Sequence, residues 1–198
     1  MATTVTHDQR GLTTHDQRGF SLLETMIALA ILAVVAAGVL PLGILAAKMS
    51  ENQGHLAART AEYAQDKVEQ LMALAYTDQV SDTRVFPAGS SGGTGLKPGG
   101  SSNASAPVDL YVDYLDQSGN LCGSASATAS ALPCPAPSGT TPPNNWFYKR
   151  VWAIADSTTD GTLPTGLKRI TVTATVAQGF GGAMKASSTL VVLKTSPF

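Results

Sequence analysis

The chain has 198 residues and a formal net charge of −1, with 13 Lys and Arg against 14 Asp and Glu, so it lacks the basic footprint of a nucleic-acid-binding domain. Charged residues make up only 14% of it, while Ser, Thr, Gly and Ala are abundant, which suits a loop-rich exported domain better than a cytosolic one. Its length leaves room for one domain and a membrane helix.

At the start of the chain the polar hexapeptide Thr6 to Gly11 recurs letter for letter as Thr14 to Gly19, and the second copy abuts Phe20-Ser21-Leu22-Leu23-Glu24. From Thr25 to Ala47 no charged residue occurs until Lys48. That run is about 23 residues, enough to cross a bilayer core of roughly 30 Å as a helix. A cleaved secretory signal fits poorly, because its apolar core should span only about 7 to 15 residues and end at small residues. Here the run continues well past Ala36-Ala37-Gly38. A plain anchor fits the length but gives no role to Glu24, a carboxylate that costs on the order of 2.5 to 3.5 kcal/mol at mid-membrane and less near an interface.

The string RGFSLLETMIALAIL resembles the N-terminus of type IV pilins and type II secretion pseudopilins, in which a Gly precedes the cut and is followed by Phe, Thr or Ser, two aliphatics and a Glu. The resemblance implies a prepilin peptidase that cuts between Gly19 and Phe20 and methylates the new amino group of Phe20. It places the hexapeptide repeat wholly inside a discarded leader, where only the second copy adjoins Phe20, so Gly11 is not expected to be cut. It also implies that Glu24 meets the N-terminal amine of an adjoining subunit. Family leaders are usually net basic, whereas this one sets Arg10 and Arg18 against Asp8 and Asp16. Acids count little in the positive-inside rule, so a cytoplasmic leader still follows from Arg10 and Arg18, weakly, since Lys48 lies beyond the other end.

Helical patterning continues past the membrane run. Ala57, Ala61, Ala64, Val68, Leu71 and Ala75 recur at helical spacing, with Glu62, Gln65, Asp66 and Glu69 on the other faces. A helix from Phe20 to about Tyr76 is expected, roughly 85 Å long by its rise, and a helix half in lipid and half packed on a domain is the plan of a pilin. Pro41, flanked by Gly38 and Gly43, removes a backbone donor, so a kink is expected there. Pilins carry a proline at this distance from the mature N-terminus, which implies a turn that melts on assembly; the alternative is a membrane-helix kink with no part in assembly.

The Gly/Ser-rich stretch from Ala88 to Ala106 reads as a loop or flexible connection, and its Asn103-Ala104-Ser105 as a bland part of it. Strands are expected at Val108 to Tyr114, at the segment NNWFYKRVWAIA, and as a hairpin in which Ile170 to Val176 turns through Gln178 to Gly182 and returns over Ser187 to Lys194. Four such strands make one antiparallel sheet able to cover the helix. Cys122 and Cys134 enclose a short loop, and across the membrane they are expected to be bridged, adding roughly 3 kcal/mol. FYKRVWAI followed by LKRITVTATV, together with AARTAEYAQDKVEQLMAL upstream, resembles PilV-type minor pilins and related minor pseudopilins.

No catalytic residue, metal site or cofactor is expected. His55 is the one histidine beyond the leader, which leaves no imidazole relay, and Asp156 and Asp160 read as a solvated turn rather than a calcium loop. Trp146, Phe147, Tyr148 and Trp152 read as core, with a carbohydrate-binding shelf as the alternative, and Lys149 and Arg150 as sheet surface.

These readings give an α+β, pilin-like fold: leader 1–19, membrane and assembly half of the helix 20–47, amphipathic half 48–76, and a periplasmic β-rich domain 77–198. The expected function is that of a minor pilin incorporated into, or priming, a type IV pilus. Its partners would be other pilin or pseudopilin subunits, the prepilin peptidase, the inner-membrane assembly platform and membrane lipid, with no nucleic acid. The alternatives are a minor pseudopilin of a type II secretion system and a membrane-anchored periplasmic binding module or adhesin.

Overall fold

The computed structural model describes residues 21–177 and 185–197. The leader, Gly19, Phe20 and the turn expected at Gln178 to Gly182 lie outside the described residues. The chain divides into two compact units, one ending at Ala46 and the other beginning at Ala47.

In the first unit the chain is helical from Leu22, the start of helix α1 (Leu22–Ala73). Ser21 opens the helix: its Oγ accepts from the amide of Leu23, and its carbonyl accepts from the amides of Glu24 and Thr25. Glu24 stands in the first turn, where a carboxylate complements the helix dipole. The apolar side chains that follow, Leu22 to Leu45, are exposed, and an 18-residue window here has a mean hydropathy of 2.7. This is one helix long and apolar enough to be a candidate membrane anchor. It is uninterrupted through Pro41.

In the second unit the remainder of α1 packs on an antiparallel sheet. Its strands are β1 (Gly99–Gly100), β2 (Val112–Leu115), β3 (Tyr148–Ala155), β4 (Leu167–Val176) and β5 (Ser187–Thr195), with a short helix α2 (Ala125–Thr128) between β2 and β3. The order is β1-β3-β4-β5, and β2 shares with β1 the same edge of β3. Alternation along the strands sorts the side chains. Tyr148, Trp152 and Ile154 of β3 and Ile170, Val172 and Val176 of β4 join Tyr63, Ala64, Val68 and Leu71 of α1 in the main core. Val112, Tyr114 and Val151 point the other way, onto Ala127 and the two cysteines.

Three expectations are corrected. The buried stripe of α1 is Leu56, Thr60, Tyr63, Ala64, Lys67, Val68 and Leu71, whereas Ala57, Ala61 and Ala75 are exposed. That stripe is turned by about 60° from the alanine-based one, at 3.6 residues per turn. The long stems of Tyr63 and Lys67 fill the space above the sheet that alanine methyls cannot. The Gly/Ser-rich stretch is packed rather than a flexible connection: it contributes β1, paired with Ile154 and Ala153, and a fully buried Leu96. Glycine is required there by contact, since a Cβ on Gly100, at φ +81°, would stand 2.2 Å from the Trp152 carbonyl oxygen. Arg150 is buried rather than at the sheet surface, for the reason given below.

Smaller differences concern boundaries. α1 ends at Ala73, and β2 begins only at Val112, because Leu110 takes a positive φ and breaks the extended run. The aromatics divide as core, with Tyr148 and Trp152 buried and Trp146 and Phe147 partly so. Asp156 and Asp160 spend their carboxylates on a turn, accepting from the amides and hydroxyls of Thr158 and Thr162.

Candidate functional site

The site residues expected from the sequence do not converge. Glu24 and Pro41 lie on the exposed apolar helix of the first unit, and Gly19 and Phe20 precede the described residues. Cys122 and Cys134 belong to the second unit. They are disulfide-bonded and buried, and they fasten the α2 loop over the outer face of β2 and β3. Ser124 caps α2 by accepting from the amide of Ala127.

The most elaborate polar constellation in the second unit escaped the sequence. Asp113 on β2 and Arg150 on β3 are cross-strand partners, and both face α1. Arg150 grips the carboxylate with two prongs, Nε to Oδ1 at 2.7 Å and Nη2 to Oδ2 at 2.8 Å. From α1, Lys67 donates to the same Oδ2 at 2.9 Å. Its remaining protons go to Gln70 Oε1 at 3.0 Å and to the carbonyl of Thr83, so all three ammonium donors are used. The ammonium also stands 3.9 Å from the centroid of the Trp152 ring.

Lys67 and Asp113 are 0% and 1% exposed and Arg150 only 8%, so the charges are held by one another rather than by water. Burial pushes the Lys67 ammonium down to about 8, with Arg150 adding to the effect and Asp113 opposing it. Burial would raise the Asp113 carboxyl, but Arg150 and Lys67 outweigh it and hold it below the usual carboxylate range. The cluster is a clamp that joins α1, β2, β3 and the Thr83 loop. The signal for it was an acid inside a strand whose neighbours are all buried, which requires a cation opposite.

Two further lysines fasten the end of α1 and the segment that follows it. The helix has no basic residue in its last turn, and one of its C-terminal carbonyls, that of Met72, accepts from the sheet. Lys194 of β5 donates to Met72 and Leu74 at 2.6 and 2.7 Å, and Lys168 of β4 donates to Tyr76 and Leu96 at 2.7 and 2.8 Å. Burial lowers both ammonium groups from their ordinary value.

A long N-terminal helix with an exposed apolar start, joined to an antiparallel sheet, is an α+β arrangement like that of pilins. The prokaryotic N-terminal methylation motif matches residues 14–40 of the chain. The match begins at the second copy of the hexapeptide, leaves out the first, and includes Gly19, Phe20 and Glu24, with Pro41 just beyond it. It supports the type IV pilin and pseudopilin superfamily, whose members in general are processed by a prepilin peptidase and assemble with other pilin subunits rather than catalyse reactions. No curated protein and no solved structure matches the chain.

Proposed function

We propose that the chain is a minor pilin, cut between Gly19 and Phe20, methylated on the Phe20 amine, and incorporated into a type IV pilus or used to prime its assembly. The methylation motif over residues 14–40 carries this reading. The leader is cytoplasmic, residues 20–47 occupy the inner membrane and then the filament core, and residues 77–198 form the periplasmic domain on the amphipathic half at 48–76. With α1 beginning at Leu22, cleavage at this junction leaves only Phe20 and Ser21 ahead of the helix in the sequence. In the membrane an isolated carboxylate needs a partner, and the cation created by cleavage is the nearest candidate in a neighbouring subunit.

The test is the mass of the processed chain in membrane fractions. An N-methylated phenylalanine at the new terminus is expected, with Gly19→Ala cut in part and the bulkier Gly19→Val left as precursor. Normal processing of Gly19→Val would overturn the assignment, and a cut after Gly11 would overturn the reading of the repeat.

A further inference from the structure

The two edges of the sheet differ. One side of β3 carries β1 and β2, of two and four residues, and the outer side of β2 is itself met: Leu115 bridges to Leu121, and the amide of Cys122 donates to the Tyr114 carbonyl at 2.9 Å. The other edge is β5, nine residues in unbroken register on β4. The ladder fixes which of its backbone groups are used. Val176 donates to the carbonyl of Ala186 just before β5, and Ser196 donates to the carbonyl of Gly166 just after it. Bonded positions alternate along an antiparallel pair, so the even-numbered residues of β5 bond to β4 and the odd-numbered ones turn their N–H and C=O outward. These are Ser187, Thr189, Val191, Leu193 and Thr195, and no described residue pairs with their backbone groups.

Because a free edge templates another chain, proteins blunt it with a charge, a proline, a bulge or a covering element. Among the described residues β5 has none of these along its free side. Its one charged residue, Lys194, faces α1 and spends its ammonium on the Met72 and Leu74 carbonyls, and Pro197 lies past the end of the strand. The side chains on the outer face are uncharged, with Val191 and Leu193 more than half exposed and hydroxyl residues on either side of them. On the inner face Ser188 donates to the Ala57 carbonyl at 3.4 Å, so Ala57 and, one turn further, Ala61 stand over this side of the sheet. Both are exposed and carry only a methyl.

We propose that β5 is a docking edge for an extended segment of a different polypeptide, which adds to the sheet as a further antiparallel strand. The outward backbone groups select an extended backbone over a helix or a small molecule. The side chains select an uncharged, proline-free segment rich in Val, Ile and Thr, whose alternate residues lie beside Val191 and Leu193 on one face and toward Ala61 on the other. A second copy of this chain is the poorer occupant. Its one comparable edge among the described residues is β5 itself, and in the antiparallel pairing, the more stable kind, the two strands run in opposite directions. Thr60 meets Ser188 and the Met72 carbonyl meets Lys194, so α1 runs the same way as β5, and such a pair starts its two helices at opposite ends. Chains anchored in one membrane by those helices need both to start on the same side.

The probe is a fluorescein-labelled peptide as long as β5, nine residues, alternating threonine and valine with a lysine at each end for solubility. It is titrated with the full, unprocessed chain in nonionic detergent micelles and followed by anisotropy, so the result is readable whatever the fate of the Gly19-Phe20 junction. Saturable binding is expected. The same peptide N-methylated on consecutive central amides keeps its side chains but loses donors, and is expected to bind at least about tenfold more weakly. Val191→Pro removes an outward N–H and no bond to β4, and Val191→Lys sets a charge beside the edge. Each is expected to weaken binding at least about tenfold while the thermal midpoint stays near that of the parent. No saturable binding by the parent, equal binding of the methylated peptide, or equal binding by the Val191→Lys chain would each overturn the proposal. Self-association of the parent in sedimentation equilibrium that Val191→Lys abolishes would give the edge to a second copy and overturn it as well.

Discussion

Asp113 is the residue on which the packing of the second unit turns. Its single negative charge satisfies Lys67 and Arg150 at once, so Asp113→Asn leaves two buried cations facing each other with shape almost unchanged. The expected loss is about 3 to 5 kcal/mol, as for removing one partner of a buried pair, measured by urea denaturation followed through tryptophan fluorescence. The same groups set the response to pH. Because the folded Asp113 carboxyl lies below its ordinary 3.8, its contribution is complete above the carboxylate range and is lost as pH falls through the folded value. Lys67 has the opposite consequence. Its folded value of about 8 lies below the ordinary 10.5, so between them the unfolded chain holds the extra proton and stability rises with pH on this group. Lys168 and Lys194 are shifted the same way. The urea midpoint is therefore expected to fall below about pH 4 and to hold or rise from pH 7 to 9; a decline over the latter range would contradict this account of the lysines.

Among the elements, β1 makes the sharpest demand on side-chain size. Gly100 combines a positive φ with backbone contact, so Gly100→Ala is expected to cost about 1 to 3 kcal/mol. Gly161→Ala, where a new methyl would meet nothing within 4 Å, should stay within about 0.5 kcal/mol of the parent. Thermal unfolding of the two variants side by side measures the difference. The contrast also explains what could be read in advance. β3, β4 and β5 were legible because alternation at period 2 is a local property of the string, and the apolar helix because length and hydropathy are. The order of the Gly/Ser stretch was not, since composition reports the freedom of the unfolded chain, while Tyr111 and Trp152, which fix Gly99 and Gly100, come later in the sequence. The methylation motif is likewise one contiguous string that can be found without a fold. Lys67, Asp113 and Arg150 are far apart in sequence, and only the β2–β3 register and the rotation of α1 bring them together.

For the whole molecule, the proposed function turns on entry into a filament, where Glu24 is proposed to supply register to contacts that are otherwise apolar and tolerate sliding. Glu24→Leu is expected to insert and be cut normally yet enter sheared filaments poorly, while Glu24→Gln keeps part of the function through a neutral hydrogen bond. The ratio of filament-borne to membrane-borne subunit measures this, and equal incorporation of the leucine variant would remove Glu24 from the assembly contact. The clamp and the lysine caps have a mechanical consequence. A tug along α1 passes into the sheet at staggered stations: Thr60 on Ser188 of β5, Lys67 on Asp113 of β2, and Lys194 of β5 on Met72 and Leu74 at the far end. Because these ties join the helix to two different strands at several points along its length, pulling the helix off its domain is expected to require breaking several of them, so its rate should fall with each tie retained.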